Sequence, residues 1–171
     1  MKNTLALINE LKEKKLIADY AIGGAIGVLR WVEPFFTRDL DIFIIPSKET
    51  KKGVIDLSSI YDYLKKKGCV WKGQWLIIGG VPVDFIPVDA LEKEAVEDAE
   101  AAEFEGVGTK VITPEYLAAI LLRAGRNKDL RKVEMLLAQA SIDGKKLDRI
   151  LEKYGLAGKF AGFRRKHDGK G

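Results

Sequence analysis

The stretch that most constrains this chain is Thr37-Arg38-Asp39-Leu40-Asp41-Ile42-Phe43-Ile44-Ile45, an aliphatic run with two carboxylates set one residue apart. Its β-branched residues, closed off by Pro46, predict a strand over 40–45. Side chains alternate along a strand, so Asp39 and Asp41 take one face while Leu40 and Ile42 take the other. Two same-face carboxylates repel, and burying them is unfavourable unless a cation compensates. A hard divalent ion that prefers oxygen ligands, Mg²⁺ above all, relieves that repulsion.

A third acid lies in a similar setting. In Val81-Pro82-Val83-Asp84-Phe85-Ile86-Pro87, Asp84 interrupts an otherwise apolar strand. If that strand pairs beside residues 39–45, Asp84 joins the same site and three acids hold one or two Mg²⁺ ions. Such an arrangement suits phosphoryl transfer, one ion orienting a triphosphate and the other lowering the pKa of an attacking hydroxyl. The plainer alternative pairs Asp39 with Arg38 or Arg30 and leaves Asp84 facing water at a sheet edge. It accounts for each acid singly but not for all of them set in aliphatic strands.

Composition narrows the remaining chemistry. Cys69 is the only cysteine and His167 the only histidine among 171 residues, so no internal disulfide or Cys-based zinc site is available. Acid–base and metal work must fall to carboxylates. The net charge of +4 and pI of about 9.0 tolerate a phosphate-rich partner and lean towards RNA. The densest basic clusters, Lys65-Lys66-Lys67 and Arg164-Arg165-Lys166, read as a solvated helix end and tail. No apolar run is long enough to cross a bilayer, and charged Lys12 to Lys15 stand where a signal peptide stays apolar. A cytoplasmic protein with no membrane partner is expected.

The periodicities predict an α/β (α+β) chain. Residues 2–17 read as a helix, 19–22 as a strand, 25–33 as a second helix and 54–67 as a third. Cys69 to Lys72, Gln74 to Ile78 and Val81 to Val88 read as successive antiparallel strands, with turns at Lys72-Gly73 and Gly79-Gly80. A helix over 89–99 and a strand near 110–112 follow. From Thr113, a cap with Pro114 at the first helical position, three helices run to about 160, and a basic tail ends the chain. The boundaries are therefore 1–112 for an α/β half and 113–171 for a helical half packed against it. The acidic stretch Glu97, Asp98, Glu100, Glu103 and Glu105 reads as a solvated helix face.

Upstream of the acids, Ile22-Gly23-Gly24-Ala25-Ile26-Gly27 bends from strand into helix. Glycines there let backbone approach a phosphate, and the following helix offers free N–H groups. Gly-Gly-x-x-Gly is not the Gly-x-Gly-x-x-Gly of a dinucleotide fold, and no Gly-Lys-Ser/Thr is present. Among the aromatics, Trp31, Trp71 and Trp75 read mainly as packing, with Trp31 the best candidate to stack on a base. Arg38, next to Asp39, is a candidate phosphate contact. Cys69 reads as buried and inert.

The order of Gly23-Gly24, a helix, Asp39-x-Asp41 on a strand and Asp84 on a later strand resembles the DNA polymerase β-like nucleotidyltransferase superfamily. The helical half, with Thr113-Pro114-Glu115-Tyr116-Leu117 leading into Ala124-Gly125-Arg126-Asn127-Lys128-Asp129, resembles the minimal nucleotidyltransferases, including AbiEii-type toxins. The resemblance implies a nucleotidyltransferase fold, a mixed sheet flanked by helices with a C-terminal helical bundle. It implies metal binding and catalysis by Asp39, Asp41 and Asp84, and nucleotide contacts from Gly23, Gly24, Arg38, Arg126 and Lys128. It also implies a nucleoside triphosphate substrate, Mg²⁺ and a cognate antitoxin partner. Three features depart from the pattern. Fourteen residues separate Gly24 from Asp39, Leu121 stands where relatives carry Lys, and Arg131-Lys132 stand where they carry an acid. Arg123 is the candidate replacement for that missing Lys.

The favoured reading is an Mg²⁺-dependent enzyme moving a nucleoside monophosphate from an NTP to a hydroxyl of RNA, protein or a small molecule. Its rivals are a non-catalytic nucleotide- or partner-binding module on the same fold and an Asp-x-Asp glycosyltransferase. The short chain and the glycines before the acids disfavour the last.

Overall fold

The computed structural model describes residues 1–47 and 56–168. In chain order they form α1 (Lys2–Glu13), β1 (Ile17–Ile22), α2 (Gly24–Val28), β2 (Leu40–Pro46), α3 (Ser58–Lys66), β3 (Val70–Lys72), β4 (Trp75–Ile78) and β5 (Val81–Pro87). Then come α4 (Ala90–Glu97), β6 (Glu100–Phe104), β7 (Val107–Val111), α5 (Pro114–Ala124), α6 (Asn127–Gln139), α7 (Gly144–Lys153) and α8 (Ala157–Asp168). The strands make one seven-stranded mixed sheet in the order β3-β4-β5-β2-β1-β7-β6. Strand β2 is antiparallel to β1 and parallel to β5, and β1 is parallel to β7.

Alternation along the strands divides the core in two. Tyr20, Ile22, Leu40, Ile42, Ile44, Leu76, Ile78, Val83 and Phe85 face Leu5, Ile8 and Leu11 of α1 and Ile60 and Leu64 of α3. Ala21 and Phe43 point the other way, into a cluster with Leu91 of α4, Leu117 and Leu122 of α5, Leu136 of α6 and Leu151 of α7. Helix α1 is tied down by Thr4, whose hydroxyl donates to the Ile78 carbonyl at 2.8 Å. The carboxylates at 39, 41 and 84 have the parity of the second face, which the later helices only partly cover.

Several expectations change. The acidic stretch is not a helix face: only Glu97 ends α4, and Glu100 to Phe104 form edge strand β6. The hairpin turns at Glu105 and Gly106, with φ of 49° and 79°, the two positive values a tight type I′ turn needs. Exposed carboxylates on an edge strand discourage pairing with another chain, and this is what hid the strand from a reading based on apolar alternation. The basic tail from 160 is instead most of α8, anchored by buried Leu156 and Phe163. Residues 169–171 of that tail, and the His167 side chain, lie outside the described residues.

The helix expected over 25–33 is only the short α2, after which the chain runs irregularly to Asp39. The helix expected over 54–67 begins at Ser58, and residues 54 and 55 lie outside the described ones. Thr113 occupies the cap position of α5 without a capping hydrogen bond. Its hydroxyl lies 3.5 Å from the Asp98 carboxylate and 3.2 Å from Lys146 Nζ instead.

Candidate active site

Parallel register sets the site. Asp41 of β2 lies opposite Asp84 of β5, between the pairs Leu40–Val83 and Ile42–Phe85. Residues paired in adjacent parallel strands point to the same face about 5 Å apart, so the two carboxylates are neighbours. Strand β2 begins at Leu40, which leaves Asp39 just before it, in the last residue of the irregular segment. All three acids line one cleft of about 1190 Å³ between this sheet face and helices α5 and α6. Asp39 and Asp41 are half-buried there and Asp84 is exposed.

The electrostatics record the crowding. Burial, and then the charges of Asp39 and Asp84, push the Asp41 carboxyl up to about 6. An N–H from the Ala25 backbone and the charge of Lys132 act in the opposite direction. Asp84 is raised too, by burial and by Asp39. Asp41 is thus the centre of an incompletely neutralised anionic cluster, at the end of a strand whose interior is aliphatic.

The glycines serve that carboxylate. Gly24 has φ +54°, and a Cβ there would stand 1.6 Å from Asp41 Oδ2. Only glycine lets the α2 turn close over the acid so that the Ala25 N–H can reach it. Gly23 is buried behind the cleft, where its N–H donates to the Asp41 carbonyl at 3.0 Å and a Cβ would run into the Phe43 ring at 2.3 Å. Gly24 therefore lines the cleft and Gly23 does not.

The opposite wall is cationic. Helix α6 presents Lys128, Arg131 and Lys132 to the cleft, with Arg126 at its cap position. Asp129, only 2% exposed, receives the Arg126 Nε–H at 2.5 Å and has Lys132 Nζ at 3.6 Å. That acid orders the two cations, and the charge of Asp41 is felt at Arg126. The long segment before Asp39 supplies the rim: Phe35, Phe36, Thr37 and Arg38 all line the cleft, with the Arg38 guanidinium 5.5 Å from the Phe36 ring centre.

The structure therefore brings together Asp39, Asp41, Asp84, Gly24, Arg38, Arg126 and Lys128, and leaves Gly23 behind the bend. Arg123 is not the replacement cation, because its guanidinium is engaged by Asp89 at 2.7 Å and by Glu92 at the start of α4. Trp31 is not a cleft residue either: its Nε1–H donates to the Ile112 carbonyl at 3.1 Å and its ring packs on the core. Trp75 lines the cleft instead. Sequence reasoning also passed over Lys132, whose one signal was a cation where relatives carry an acid. Cys69 is buried, and burial raises its thiol pKa.

Among the described residues no three Asp, Glu, His or Cys side chains form a ready metal cage. Mg²⁺ seldom uses one: it keeps waters and takes one or two carboxylates together with substrate phosphates. Crowded, hard oxygen donors that raise one another's pKa, opposite a wall of cations, fit that mode of binding. Among the described residues no helix is long and apolar enough to cross a membrane.

No protein-family model matches the chain, and no curated protein does. Among solved structures it is similar to an antigenic nucleotidyltransferase-like protein from Paracoccidioides brasiliensis, at 14% identity and a TM-score of 0.54, over 95% of this chain and 90% of that one. ANT(2'')-Ia in complex with adenylyl-2''-tobramycin gives 12% identity and a TM-score of 0.49, over 95% and 98% of the two chains. The first likeness is one of fold: the mixed sheet with flanking helices is a nucleotidyltransferase fold.

Proposed function

We propose that this protein is an Mg²⁺-dependent nucleotidyltransferase, moving a nucleoside monophosphate from an NTP to an acceptor hydroxyl. The observation that carries the reading is the register of Asp41 with Asp84, with Asp39 beside them, across one cleft from the cations of α6. Mg²⁺ held by Asp39, Asp41 and Asp84 would neutralise triphosphate charge and act as a Lewis acid. Arg126, Lys128 and Lys132 bind the phosphates, with Asp129 fixing the first and last of these in direction. The turn at Gly24 brings backbone close to the same charge. Asp84, exposed in the cleft, takes the proton of the acceptor hydroxyl. The oxygen then bonds to the α-phosphorus, the α–β bridging bond breaks, and pyrophosphate leaves.

The test is transfer of label from α-³²P NTPs with Mg²⁺, comparing the wild-type chain with Asp41→Asn. The expected result is transfer by the wild type and loss of at least a thousandfold in a variant that remains folded. Full activity in Asp41→Asn overturns the mechanism. Binding of Mg²⁺–NTP by the wild type without any product would make the chain a nucleotide-binding module.

A further inference from the structure

Trp75 is exposed where the fold has no need to expose it. Strand β4 sits inside the sheet, hydrogen-bonded to β3 and β5, and Leu76 and Ile78 are buried under α1 and α3. Trp75 takes the opposite face, shares it with its partner Lys72, and remains 39% exposed. It lines the cleft together with Asp84, on the strand beyond the acid and away from Gly24, Arg126 and Lys128. Phe36 lines the same cleft at 81% exposure. Core packing explains neither ring.

The acids thus divide the cleft. On one side stand the α2 turn and the α6 cations, which suit a triphosphate. On the other stands the Trp75 ring, on the strand that pairs with the strand of Asp84, the proton acceptor. An acceptor must enter from that second side for its oxygen to meet both Asp84 and the α-phosphorus. The cleft lining also holds five cations (Arg38, Arg126, Lys128, Arg131 and Lys132) against four carboxylates (Asp39, Asp41, Asp84 and Asp129). Two divalent cations arriving with the nucleotide would offset the charge of its triphosphate, so the lining keeps its slight positive excess, which favours an anionic acceptor. Exposed rings beside a cationic groove are the combination that holds single-stranded nucleic acid, because bases stack and the backbone is neutralised.

Resting on the transferase reading, the geometry points to Trp75 as the stacking platform for the terminal base of a single-stranded nucleic acid, whose terminal hydroxyl is the acceptor. Trp75 is a positioning residue here: it holds the base so that the hydroxyl oxygen reaches Asp84, and it forms no bond to the transferred group. The oxygen–phosphorus bond joins the nucleotide to the strand, pyrophosphate departs, and the proton rests on Asp84.

The experiment uses the full chain, Mg²⁺, the four α-³²P NTPs and 12-mer strands of one sequence in ribo, deoxy and 3′-blocked forms. Wild type is compared with Trp75→Ala and Trp75→Phe, with folding checked by circular dichroism. The expected result is labelling of an unblocked strand, and a KM for the strand raised about tenfold in Trp75→Ala, as loss of one base stack implies. The KM for the NTP stays within about twofold, and Trp75→Phe recovers most of the loss. Labelling of only the ribo or only the deoxy strand identifies the source and supports the inference. An unchanged strand KM, an NTP KM that rises equally, or no strand labelled while Mg²⁺–NTP still raises the melting temperature overturns the acceptor assignment alone. If Mg²⁺–NTP leaves the melting temperature unmoved, the transferase reading fails and takes this one with it.

Discussion

Replacing Asp41 by Asn should inactivate the protein and stabilise it. Asp41 sits at about 6 in the folded chain against an ordinary 3.8, raised by burial and by the charges of Asp39 and Asp84. A carboxyl whose folded pKa is raised favours the folded state while protonated. That advantage is complete below the unfolded value and disappears as pH rises through about 6, leaving the ionised form at a disadvantage. The difference corresponds to about 3 kcal/mol at pH 8, and partial access of water from the cleft brings the expectation nearer 2 kcal/mol. Asn keeps the shape and an oxygen for the Ala25 N–H, yet carries no charge. Urea denaturation of both chains in EDTA should show Asp41→Asn more stable by about 2 kcal/mol at pH 8, with the gap closing as pH falls towards 4. Added Mg²⁺ and NTP should stabilise the wild type and not the variant. A variant equal to or weaker than the wild type at pH 8 would refute the crowded-carboxylate account.

Three further outcomes are expected. Gly24→Ala forces both an unfavourable positive φ and a Cβ 1.6 Å from Asp41 Oδ2, so it should cost about 2 kcal/mol or more in urea denaturation and abolish transfer. Asp129→Ala removes the partner that orders Arg126 and Lys132; a loss of about 2 kcal/mol and a raised KM for NTP should follow, since Arg126 can turn to water. Lys132→Met removes a charge that lowers the Asp41 pKa, so the acid limb of the pH–rate profile should move to higher pH, whereas the solvent-facing change Lys153→Met should leave it in place.

Some of this was legible in residue order, because it depends on local periodicity. The strand at 40–45, the carboxylates at alternate positions and the helical character after Thr113 all follow from side-chain spacing within one element. The fourteen residues between Gly24 and Asp39 mark a departure without revealing its use: after α2 the segment runs without helix or strand and carries Phe36 and Arg38 to the cleft rim. Strand β6 was hidden because an edge strand needs no apolar alternation, and α8 because its buried anchor Phe163 sits within a basic run.

What the sequence by itself determined is the chemistry on offer: carboxylates as the material for acid–base and metal work, glycines at the bend before them, and a sheet with helices to hold both. Tertiary structure alone decided which residues meet. The pairing of β5 beside β2, rather than at an edge, put Asp84 next to Asp41. The same sheet order set Trp75 at the cleft, the run after α2 packed Trp31 against the core, and α4 drew Arg123 away from the cleft. Register and helix docking are contacts between residues far apart in the chain, and the spacing within one element does not encode them.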